Sequence, residues 1–487
     1  MNKFLNQTTM YRLVLYFLIV LNLVTIFASS LGILPYKPLD ILLSTLILVV
    51  SSWLVNKALA KYLSVYTNPE SSLITALILA LIVGPFNPIA NIAFLVTLAA
   101  VAITSKYILA VKKRHIFNPA AVAVVISIVV LGQGASWWIG NVFMLAFVAL
   151  GGILILTKIK RFTMVLTFLA TNLFLSAIFG VSPINTLLYS PLVFFATVML
   201  VEPLTSPVET QKQIIYAGFV AILLVLYQEF LKVPYTLELA LITGNVFSYL
   251  VSSPFRLNLT LIKKEIIARE SYSFYFKPDK SFSFKAGQFM YWTLPHKAPD
   301  SKGVRRFFTI SSSPTQREVI ISVKISKEGS SSFKNALLNL KKGNQIVGMD
   351  ASGEFVLPKD RLVPLAFIAG GIGITPFISM AKWMIDAGEE RDIILLYSNR
   401  RKSDAAFKNV LEAAEKFGLK THYVITKRDG YIDEKMIKTK VPDCKDRIFY
   451  VSGPQPMVQI FEKMLAKMGV RAIKTDFFPG YIERHQE

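Results

Sequence analysis

The chain has 487 residues, 53% of them hydrophobic, and a formal net charge of +22. Its mean hydropathy of +0.50 excludes an ordinary soluble globular protein. A single cysteine, Cys444, excludes an intrachain disulfide framework and an iron–sulfur cluster held by thiolates of this chain. No arginine-rich arm points to nucleic acid, and we predict no metal site.

Charge divides the chain into two halves. Residues 1–254 hold 14 Lys and Arg and 6 Asp and Glu, whereas the remaining residues hold 39 and 25. This predicts a membrane domain over 1–254 that is followed by a soluble half. A basic soluble half would suit the anionic surface of a lipid bilayer.

Ten apolar segments, centred near residues 23, 49, 78, 98, 125, 147, 171, 194, 221 and 243, predict about ten membrane helices, most of them about 20 residues long. With the N-terminus inside, the inner loops carry ten Lys and Arg and the outer loops carry two. We therefore expect a multi-pass protein of the cell membrane with a cytoplasmic N-terminus and a cytoplasmic soluble half. Only His115 lies near an apolar segment, so we expect no haem held by two membrane histidines.

Two stretches of the membrane half suggest an internal repeat. Ser72…Val83-Gly84-Pro85 and Ser190…Val201-Glu202-Pro203 keep the same spacing, 118 residues apart. With five helices in each copy, the two copies would be inverted in the membrane. Short or Pro-interrupted segments at matching positions of two halves often mark a binding site at a helix break. Chance similarity of apolar helices is the alternative.

Polar residues at the edges of the membrane segments are the candidate site of this half. Glu202 beside Pro203 is costly at membrane depth unless it is paired or hydrated. Glu229 and Glu238 are expected at the membrane interface instead. The candidates for binding a membrane flavin or quinone are Lys106, Tyr107, His115, Asn118, Ser190, Glu202 and Thr205.

Residues 40–254 resemble two related membrane proteins, RnfD of the Rnf electron-transport complex and NqrB of the sodium-pumping NADH:quinone oxidoreductase. The resemblance rests on Ser105-Lys106-Tyr107, on residues 115–120 (His-Ile-Phe-Asn-Pro-Ala) and on residues 202–207 (Glu-Pro-Leu-Thr-Ser-Pro). It implies flavin within the membrane, with one FMN esterified to a threonine in the relatives. Because Val193 stands at that threonine's place, the resemblance favours a non-covalent FMN or riboflavin, or a quinone.

The pattern of the chain changes after Pro254. The following segments read as strands of a small antiparallel β-barrel over residues 255–358: Leu259–Ile267, Tyr272–Phe276, Gln288–Leu294, Phe307–Ser311 and Val319–Lys324. Alternation places Arg306 and Phe308 on one face, where a guanidinium can bind a diphosphate and an aromatic ring can lie against a ring system. Gly329-Ser330-Ser331-Ser332 precedes a predicted helix, Phe333–Leu340, and suits either a phosphate or a simple serine N-cap.

Residues 359–487 alternate strands and helices, which predicts an α/β domain. A buried-type strand, Leu365–Ala369, leads into Gly370-Gly371-Ile372-Gly373-Ile374-Thr375-Pro376, a turn that lets the backbone approach a dinucleotide phosphate. Further strands end at Arg400 and at Ser452-Gly453-Pro454, so a crevice is expected at this edge of the sheet. Arg400 could hold the 2′-phosphate of NADPH, and the choice between NADH and NADPH stays open.

These motifs together resemble the ferredoxin–NADP reductase family across residues 257–487, in the order found in that family. The resemblance implies FAD and a nicotinamide dinucleotide as cofactors. Phe308 replaces the usual flavin-facing tyrosine, and Ser452 replaces the usual cysteine. Candidate catalytic residues are Thr309 and Ser452. The candidate cofactor-binding residues are Arg306, Phe308, Thr309, Ile310, Ser311, Val323, Gly329, Ser330, Ser331, Ser332, Gly370, Gly371, Gly373, Thr375, Pro376, Arg400, Gly453, Pro454 and Tyr481.

The two halves together predict a membrane-bound NAD(P)H-dependent flavin oxidoreductase. Electrons would pass from cytosolic NAD(P)H through FAD into the membrane domain and on to a quinone or an external acceptor. One alternative is outward reduction of flavin or ferric iron across the membrane. Another is a transporter-like membrane domain with a redox-sensing reductase. The sequence does not indicate the oligomeric state or whether ions are pumped.

Overall fold

The computed structural model describes residues 8–63, 69–85, 87–111, 114–233, 235–251, 256–297, 299–300, 303–326, 330–470 and 472–478. Contacts divide the chain into two units, Met1–Pro254 and Phe255–Glu487. The predicted site residues Gly329 and Tyr481 lie outside the described residues.

The first unit is helical. Its helices are α1 (Met10–Ser30), α2 (Pro38–Tyr62), α3 (Pro69–Ile82), α4 (Ile92–Ile108), α5 (Pro119–Leu131), α6 (Val142–Ile159), α7 (Phe162–Ile178), α8 (Pro183–Tyr189), α9 (Leu192–Leu200), α10 (Thr210–Leu231) and α11 (Thr236–Val251). A two-stranded hairpin, β1 (Ala110–Val111) with β2 (Arg114–His115), connects α4 to α5. Each predicted apolar segment contains a helix, with α8 and α9 sharing the one near residue 194.

Several of these helices are shorter than expected. Among the described residues, four helices, α1, α2, α6 and α10, are long and apolar enough to cross a membrane, or five if α8 and α9, bent by 74°, form one span. The other five apolar helices have 10–17 residues. Local sequence limits two of them: α3 ends at Ile82, before Gly84-Pro85, and α5 begins at Pro119 and ends at Leu131, before Gly132, whose φ is +67°.

One pair of helices keeps the spacing of the repeat, which itself stays a prediction. α4 runs from Ile92 to Ile108, and the α-helical part of α10 runs from Thr210 to Leu226. The first residues of the two helices are therefore 118 residues apart, and so are their last residues. This is the spacing between the stretch that ends in Gly84-Pro85 and the stretch that ends in Glu202-Pro203. The carboxyl ends of α9 and α10 are π-helical, at Phe195–Leu200 and Tyr227–Leu231. Such π-helical segments are rare in proteins, and those that occur often lie at functional sites.

The second unit begins with the expected antiparallel barrel. Its strands are β3 (Arg256–Ala268), β4 (Ser271–Pro278), β5 (Phe289–Thr293), β6 (Arg305–Thr309), β7 (Val319–Lys324) and β8 (Gln345–Ser352), in the order β6-β5-β8-β3-β4-β7. A short helix, α12 (Ser332–Leu338), packs Phe333 and Leu337 into the barrel core beside Trp292. Strand β8, which joins β5 to β3, was missing from the sequence prediction.

The rest of this unit is a parallel α/β layer. Its elements are β9 (Leu365–Gly370), α13 (Thr375–Ala387), β10 (Ile393–Asn399), α14 (Lys408–Ala414), β11 (Leu419–Ile425), α15 (Thr426–Asp429), α16 (Glu434–Lys440), β12 (Ile448–Pro454), α17 (Gln455–Lys467) and β13 (Ile473–Phe478). The strand order is β11-β10-β9-β12-β13. The order reverses at β9, so the carboxyl ends of β9, β10 and β12 meet at one edge, as expected for a ligand crevice.

Candidate functional site in the reductase unit

Arg306 on β6 belongs to a set of donors that holds an anion. Its Nη2 is 2.6 Å from Oδ1 of Asp300, and its Nη1 donates to the carbonyl oxygen of Gly303 at 2.8 Å. The other Asp300 oxygen, Oδ2, accepts from the backbone N–H of Ser332 at 3.1 Å and from its hydroxyl at 2.9 Å. His296 also contacts that hydroxyl, at 2.9 Å. A guanidinium, an N–H and a hydroxyl therefore converge on one carboxylate.

The next two predicted residues of β6 lie at the same end of the barrel. Phe308 packs against Phe333, with ring centroids 5.6 Å apart, and the guanidinium of Arg306 lies 5.6 Å from the Phe333 ring. Thr309 is 3% exposed, and its hydroxyl has no hydrogen-bond partner among the described residues. A buried hydroxyl without a partner is costly, so a bound ligand is the expected partner.

The remaining barrel candidates make local structural contacts. Ile310 and Val323 are buried in the barrel, and the Ser311 hydroxyl donates to the carbonyl of Ile320 at 3.1 Å. The Ser330 hydroxyl donates to the carbonyl oxygen of Ser326, four residues earlier in the chain. Ser331 is the N-cap of α12, accepting from Lys334 N–H at 3.3 Å. For Ser331, the simple N-cap interpretation therefore describes the geometry.

Glycines bring the ends of β9 and β12 together. A Cβ on Gly373 would lie 2.5 Å from the Ser452 carbonyl oxygen, and a Cβ on Gly453 would lie 3.3 Å from Gly370. Gly371 has a φ of +53° and open space where a Cβ would point. Only glycine permits both the close approach and the positive φ without strain. The sequence Gly370–Gly373 thus forms a tight turn at the edge where the crevice was predicted.

The polar residues at this edge of the sheet differ in whether their side chains have hydrogen-bond partners. The hydroxyl of Ser452 is fully buried and has no partner among the described residues. Thr375, the first residue of α13, donates to the carbonyl of Ile372 at 3.2 Å, and Pro376 is the second residue of that helix. Pro454 precedes α17, and Arg400 is exposed after β10. Ser452 therefore offers a buried hydroxyl to a ligand, and Arg400 a charge at the rim.

Helix α13 also binds the barrel. Ser379 donates to the carbonyl of Ser312 at 2.7 Å, Lys382 Nζ lies 3.4 Å from the carbonyl of Ser311, and Asp386 accepts from a hydroxyl of the same loop. The pKa of Lys382 is lowered because burial removes water from its ammonium group. These contacts fix the crevice after β9 relative to the end of β6.

Three observations fit an FAD and a nicotinamide dinucleotide. The donors around Asp300 already hold an oxyanion and could hold a diphosphate. Thr309, directly after Phe308 on β6, presents a buried hydroxyl without a partner among the described residues. The glycine turn after β9 leaves open space beside backbone N–H groups.

Candidate functional site in the membrane unit

Three of the predicted membrane candidates converge on the carboxylate of a fourth, Glu202. Glu202 Oε1 lies 3.1 Å from His115 Nε2, and Glu202 Oε2 accepts from Asn118 Nδ2 at 2.9 Å and from the Thr205 hydroxyl at 3.3 Å. Asn118 also caps α5, with its Oδ1 accepting from Ala120 N–H at 3.1 Å. The cluster links the start of α5 to the turn that follows α9.

Basic residues surround this turn. Lys106 attracts Glu202 electrostatically and donates to the Ser71 carbonyl at 2.8 Å. The buried Arg161 donates to the Val201 carbonyl at 3.3 Å and to the Ser206 hydroxyl. The Glu202 carboxylate is therefore paired, which a charge at membrane depth would require.

Two candidates make their described contacts elsewhere. The Tyr107 hydroxyl donates to Asn56 Oδ1 at 2.9 Å. Ser190 donates to the carbonyl of Thr186, one turn earlier in the chain. Neither contact is with Glu202, so the seven predicted candidates do not form a single cluster.

Sequence reasoning missed two polar residues. Asp300 was overlooked because nothing in its neighbourhood signals a pairing with Arg306 and Ser332. Glu238 was expected at the membrane interface, but it is 1% exposed. Its Oε1 accepts from Trp137 Nε1 at 2.9 Å, while its Oε2 has no partner among the described residues. Glu238 is therefore buried at the first turn of α11 by the loop that carries Trp137, and its place at the membrane interface stays a prediction.

Comparisons with protein families agree with both halves. Residues 127–257 match the NQR2, RnfD, RnfE family, and residues 367–463 match the oxidoreductase NAD-binding domain. Both resemblances inferred from the motifs are thereby confirmed, over these ranges.

Individual relatives match about two fifths of the chain. The reductase subunit of stachydrine N-demethylase from Rhizobium meliloti is 27% identical over 210 residues, 41% of this chain and 59% of the relative. The glycine betaine monooxygenase reductase subunit of Pseudomonas aeruginosa is 30% identical over 205 residues, 39% of this chain and 54% of the relative. The chain thus spans between half and two thirds of these curated relatives.

A solved structure also aligns with part of the chain. It is the FAD/NAD-binding domain of nitric oxide dioxygenase from Vibrio cholerae, 19% identical, with a TM-score of 0.40. The alignment covers 46% of this chain and 98% of that structure.

Proposed function

We propose that the protein is a membrane-bound NAD(P)H dehydrogenase that contains FAD. Electrons pass from cytosolic NAD(P)H through the reductase unit into the membrane unit and on to a quinone or an external acceptor. The observation that carries the proposal is the donor set of Arg306 and Ser332, which holds an oxyanion on the same barrel as the buried hydroxyl of Thr309. The family of the NAD-binding domain supports the same activity.

The residues of the reductase unit have separate tasks in this proposal. Arg306 and Ser332 bind the diphosphate of FAD, and Phe308 packs beside the flavin ring. Thr309 donates a hydrogen bond to a ring nitrogen. FAD, when bound, accepts two electrons as a hydride and can release them singly. Ser452, whose buried hydroxyl has no partner among the described residues, contacts the nicotinamide.

The glycine turn after β9 and the exposed Arg400 bind the phosphate-bearing part of the nicotinamide dinucleotide. Gly370, Gly371 and Gly373 let the dinucleotide phosphates approach the backbone after β9. Arg400 lies at the neighbouring strand end and would pair with a 2′-phosphate. A comparison of NADPH with NADH as donor in wild type and Arg400→Gln tests this, because only the NADPH reaction should weaken.

In the membrane unit, we propose that the ten helical segments all cross the bilayer, with α8 and α9 forming one broken span. The excess of Lys and Arg in the inner loops supports a cytoplasmic reductase unit. A hydrocarbon core of about 30 Å needs a relay for electrons, and a non-covalent flavin or a quinone can serve as that relay. The polar cluster around Glu202 is the candidate site for it.

Cofactor extraction from the purified protein tests the proposal. We expect one FAD per chain from the reductase unit and bleaching of its absorbance by NADH or NADPH. Arg306→Ala and Phe308→Ala should lose FAD, whereas Arg305→Ala, on the exposed face of the same strand, should retain it. Full FAD content and NADH oxidation in both Arg306→Ala and Phe308→Ala would refute the site.

A further inference from the structure

Strand β6 of the reductase unit carries an exposed aromatic residue beside two other rings. Phe307 is 53% exposed. Its ring centroid lies 4.0 Å from that of Tyr291 and 5.4 Å from that of Phe289, both on β5. Alternation along β6 turns Phe307 to the face opposite to that of Arg306 and Phe308. The strand that carries the proposed FAD residues thus presents an aromatic cluster, Phe289, Tyr291 and Phe307, on its other face.

Strand register places two arginines on the same face as this aromatic cluster. Phe307 pairs with Tyr291, and Tyr291 pairs with Met349 on β8. Met349 in turn pairs with Arg256, the first residue of β3. Residues that pair across neighbouring strands point to the same side of a sheet. The next row on this face consists of Asn258, Val347, Thr293 and Arg305. None of these eight residues is acidic, and the carboxylate of Asp279 at the edge accepts from the Asn258 amide at 2.7 Å.

The charges around the aromatic cluster suit an anionic surface. Arg305 is exposed, and its Nε donates to the Thr293 hydroxyl on the same face at 3.3 Å. Residues 255–487 hold 39 Lys and Arg against 25 Asp and Glu, a net charge of +14. Anionic lipid headgroups attract basic side chains, and aromatic rings are enriched at the level of the headgroups. An aromatic cluster beside an exposed arginine therefore combines the two side-chain types that favour a lipid surface.

The chain connects this face to the proposed membrane domain by a short link. Helix α11 ends at Val251 and β3 begins at Arg256, so four residues join them. A link of this length spans at most about 18 Å. Arg256 and Phe307 lie in one row, three strands apart, which corresponds to about 14 Å. If α11 crosses the bilayer, as proposed, the row that ends at Phe307 is therefore held within reach of the lipid surface.

We propose that the aromatic cluster and Arg305 form a docking surface for the anionic headgroups of the bilayer, so that this face of β6 lies against the lipid. The inference goes beyond the proposed function and rests on it for the insertion of residues 1–254 in the membrane. Arg306 and Phe308 lie on the other face of the same strand. The contact therefore holds the proposed FAD site at a fixed height above the lipid.

Quenching by nitroxide lipids tests this contact in the full-length protein. A fluorophore is attached to Phe307→Cys in a Cys444→Ala background. The protein is placed in nanodiscs of phosphatidylcholine and phosphatidylglycerol that contain a lipid with a nitroxide on its headgroup. The matched control is Ile266→Cys, which is 76% exposed near the other end of β3. Ile266 lies about 33 Å along the strand from Arg256.

We expect quenching at position 307 to exceed quenching at position 266 at least threefold. Arg305→Gln removes one positive charge from the docking surface and should lower the equilibrium constant for docking about fivefold. Quenching at position 307 should fall accordingly, and it should also fall in nanodiscs without phosphatidylglycerol.

Several results would overturn the docking surface. Equal nitroxide quenching at positions 307 and 266, or quenching that Arg305→Gln leaves unchanged, would do so. A label at position 307 that neither nitroxide lipid nor aqueous iodide quenches is covered by protein, which would replace the lipid with a second copy or another protein. Membrane insertion is measured separately with a label at Leu150→Cys, on the exposed side of α6, and a nitroxide on the lipid acyl chain. Absence of quenching at position 150 counts against the proposed function instead.

Discussion

Replacing Asp300 with asparagine should tighten the binding of FAD. In the structure, the Asp300 carboxylate occupies the donors of Arg306 and Ser332, at distances of 2.6, 3.1 and 2.9 Å. A diphosphate that uses the same donors has to displace this carboxylate, and its own negative charge is repelled by it. Asparagine keeps the size of the side chain but removes the charge.

The expected gain follows from the burial of this pair. The side chains of Arg306 and Asp300 are 13% and 18% exposed, so solvent screens them only in part. A charge-assisted contact of this kind contributes about 1–2 kcal/mol net. Removing the competitor should therefore lower the Kd of FAD by about 5- to 30-fold. The assay is titration of FAD into protein stripped of flavin, followed by quenching of flavin fluorescence.

A control distinguishes competition from a general charge effect. Asp279→Asn changes a carboxylate of the same barrel that binds Asn258 instead of a cation, at 2.7 Å. Its FAD affinity should equal that of wild type. An unchanged or higher Kd in Asp300→Asn would refute the reasoning and show that Asp300 orients Arg306 for FAD instead of competing with it.

Three further predictions concern single side chains. Thr309→Val, which keeps the shape and removes the buried hydroxyl, should retain FAD but slow its reduction by NADH about tenfold or more in stopped-flow measurements; an unchanged rate would remove Thr309 from the site. Glu202→Gln should lower the stability of the membrane unit by about 2 kcal/mol, because His115 loses its charged partner. Glu209→Gln, which changes an exposed carboxylate, should leave the stability unchanged. Thermal unfolding of the protein in detergent measures both. Burial, with help from two nearby lysines, lowers the pKa of His422. The unfolded chain thus binds that proton more tightly, so His422 costs stability as pH falls through about 6.5. His422→Gln should narrow the difference in Tm between about pH 8 and pH 5, and an identical difference would contradict this.

The folds of the reductase unit were largely predictable because they depend on local pattern. Alternating strands and the turn Gly370–Gly373 carry clear signals, and the parallel order follows from strand–helix alternation. Strand β8 was missed, since Gly348 interrupts its apolar pattern; a Cβ there would lie 2.6 Å from the sulfur of Met290. Packing across the barrel, which the local sequence does not show, selects that glycine.

In the membrane unit, helix positions were predictable and helix lengths were not. Helix α5, for example, ends at Leu131 because Gly132 adopts a left-handed backbone conformation, which hydropathy does not show. The pairing of Glu238 with Trp137 joins residues 101 positions apart, and the pairing of Glu202 with His115 joins residues 87 apart. Such contacts depend on the tertiary arrangement, so hydropathy alone could not show that Glu238 is buried within the protein.

The central claim is that a flavin in the reductase unit receives electrons from NAD(P)H and passes them to the membrane unit. The most direct test is anaerobic titration of the purified full-length protein with NADH or NADPH, followed by addition of ubiquinone-1. We predict loss of the flavin absorbance on reduction and its return when the quinone is added. A colourless protein, or a flavin that reduced nucleotide leaves oxidised, would contradict the account.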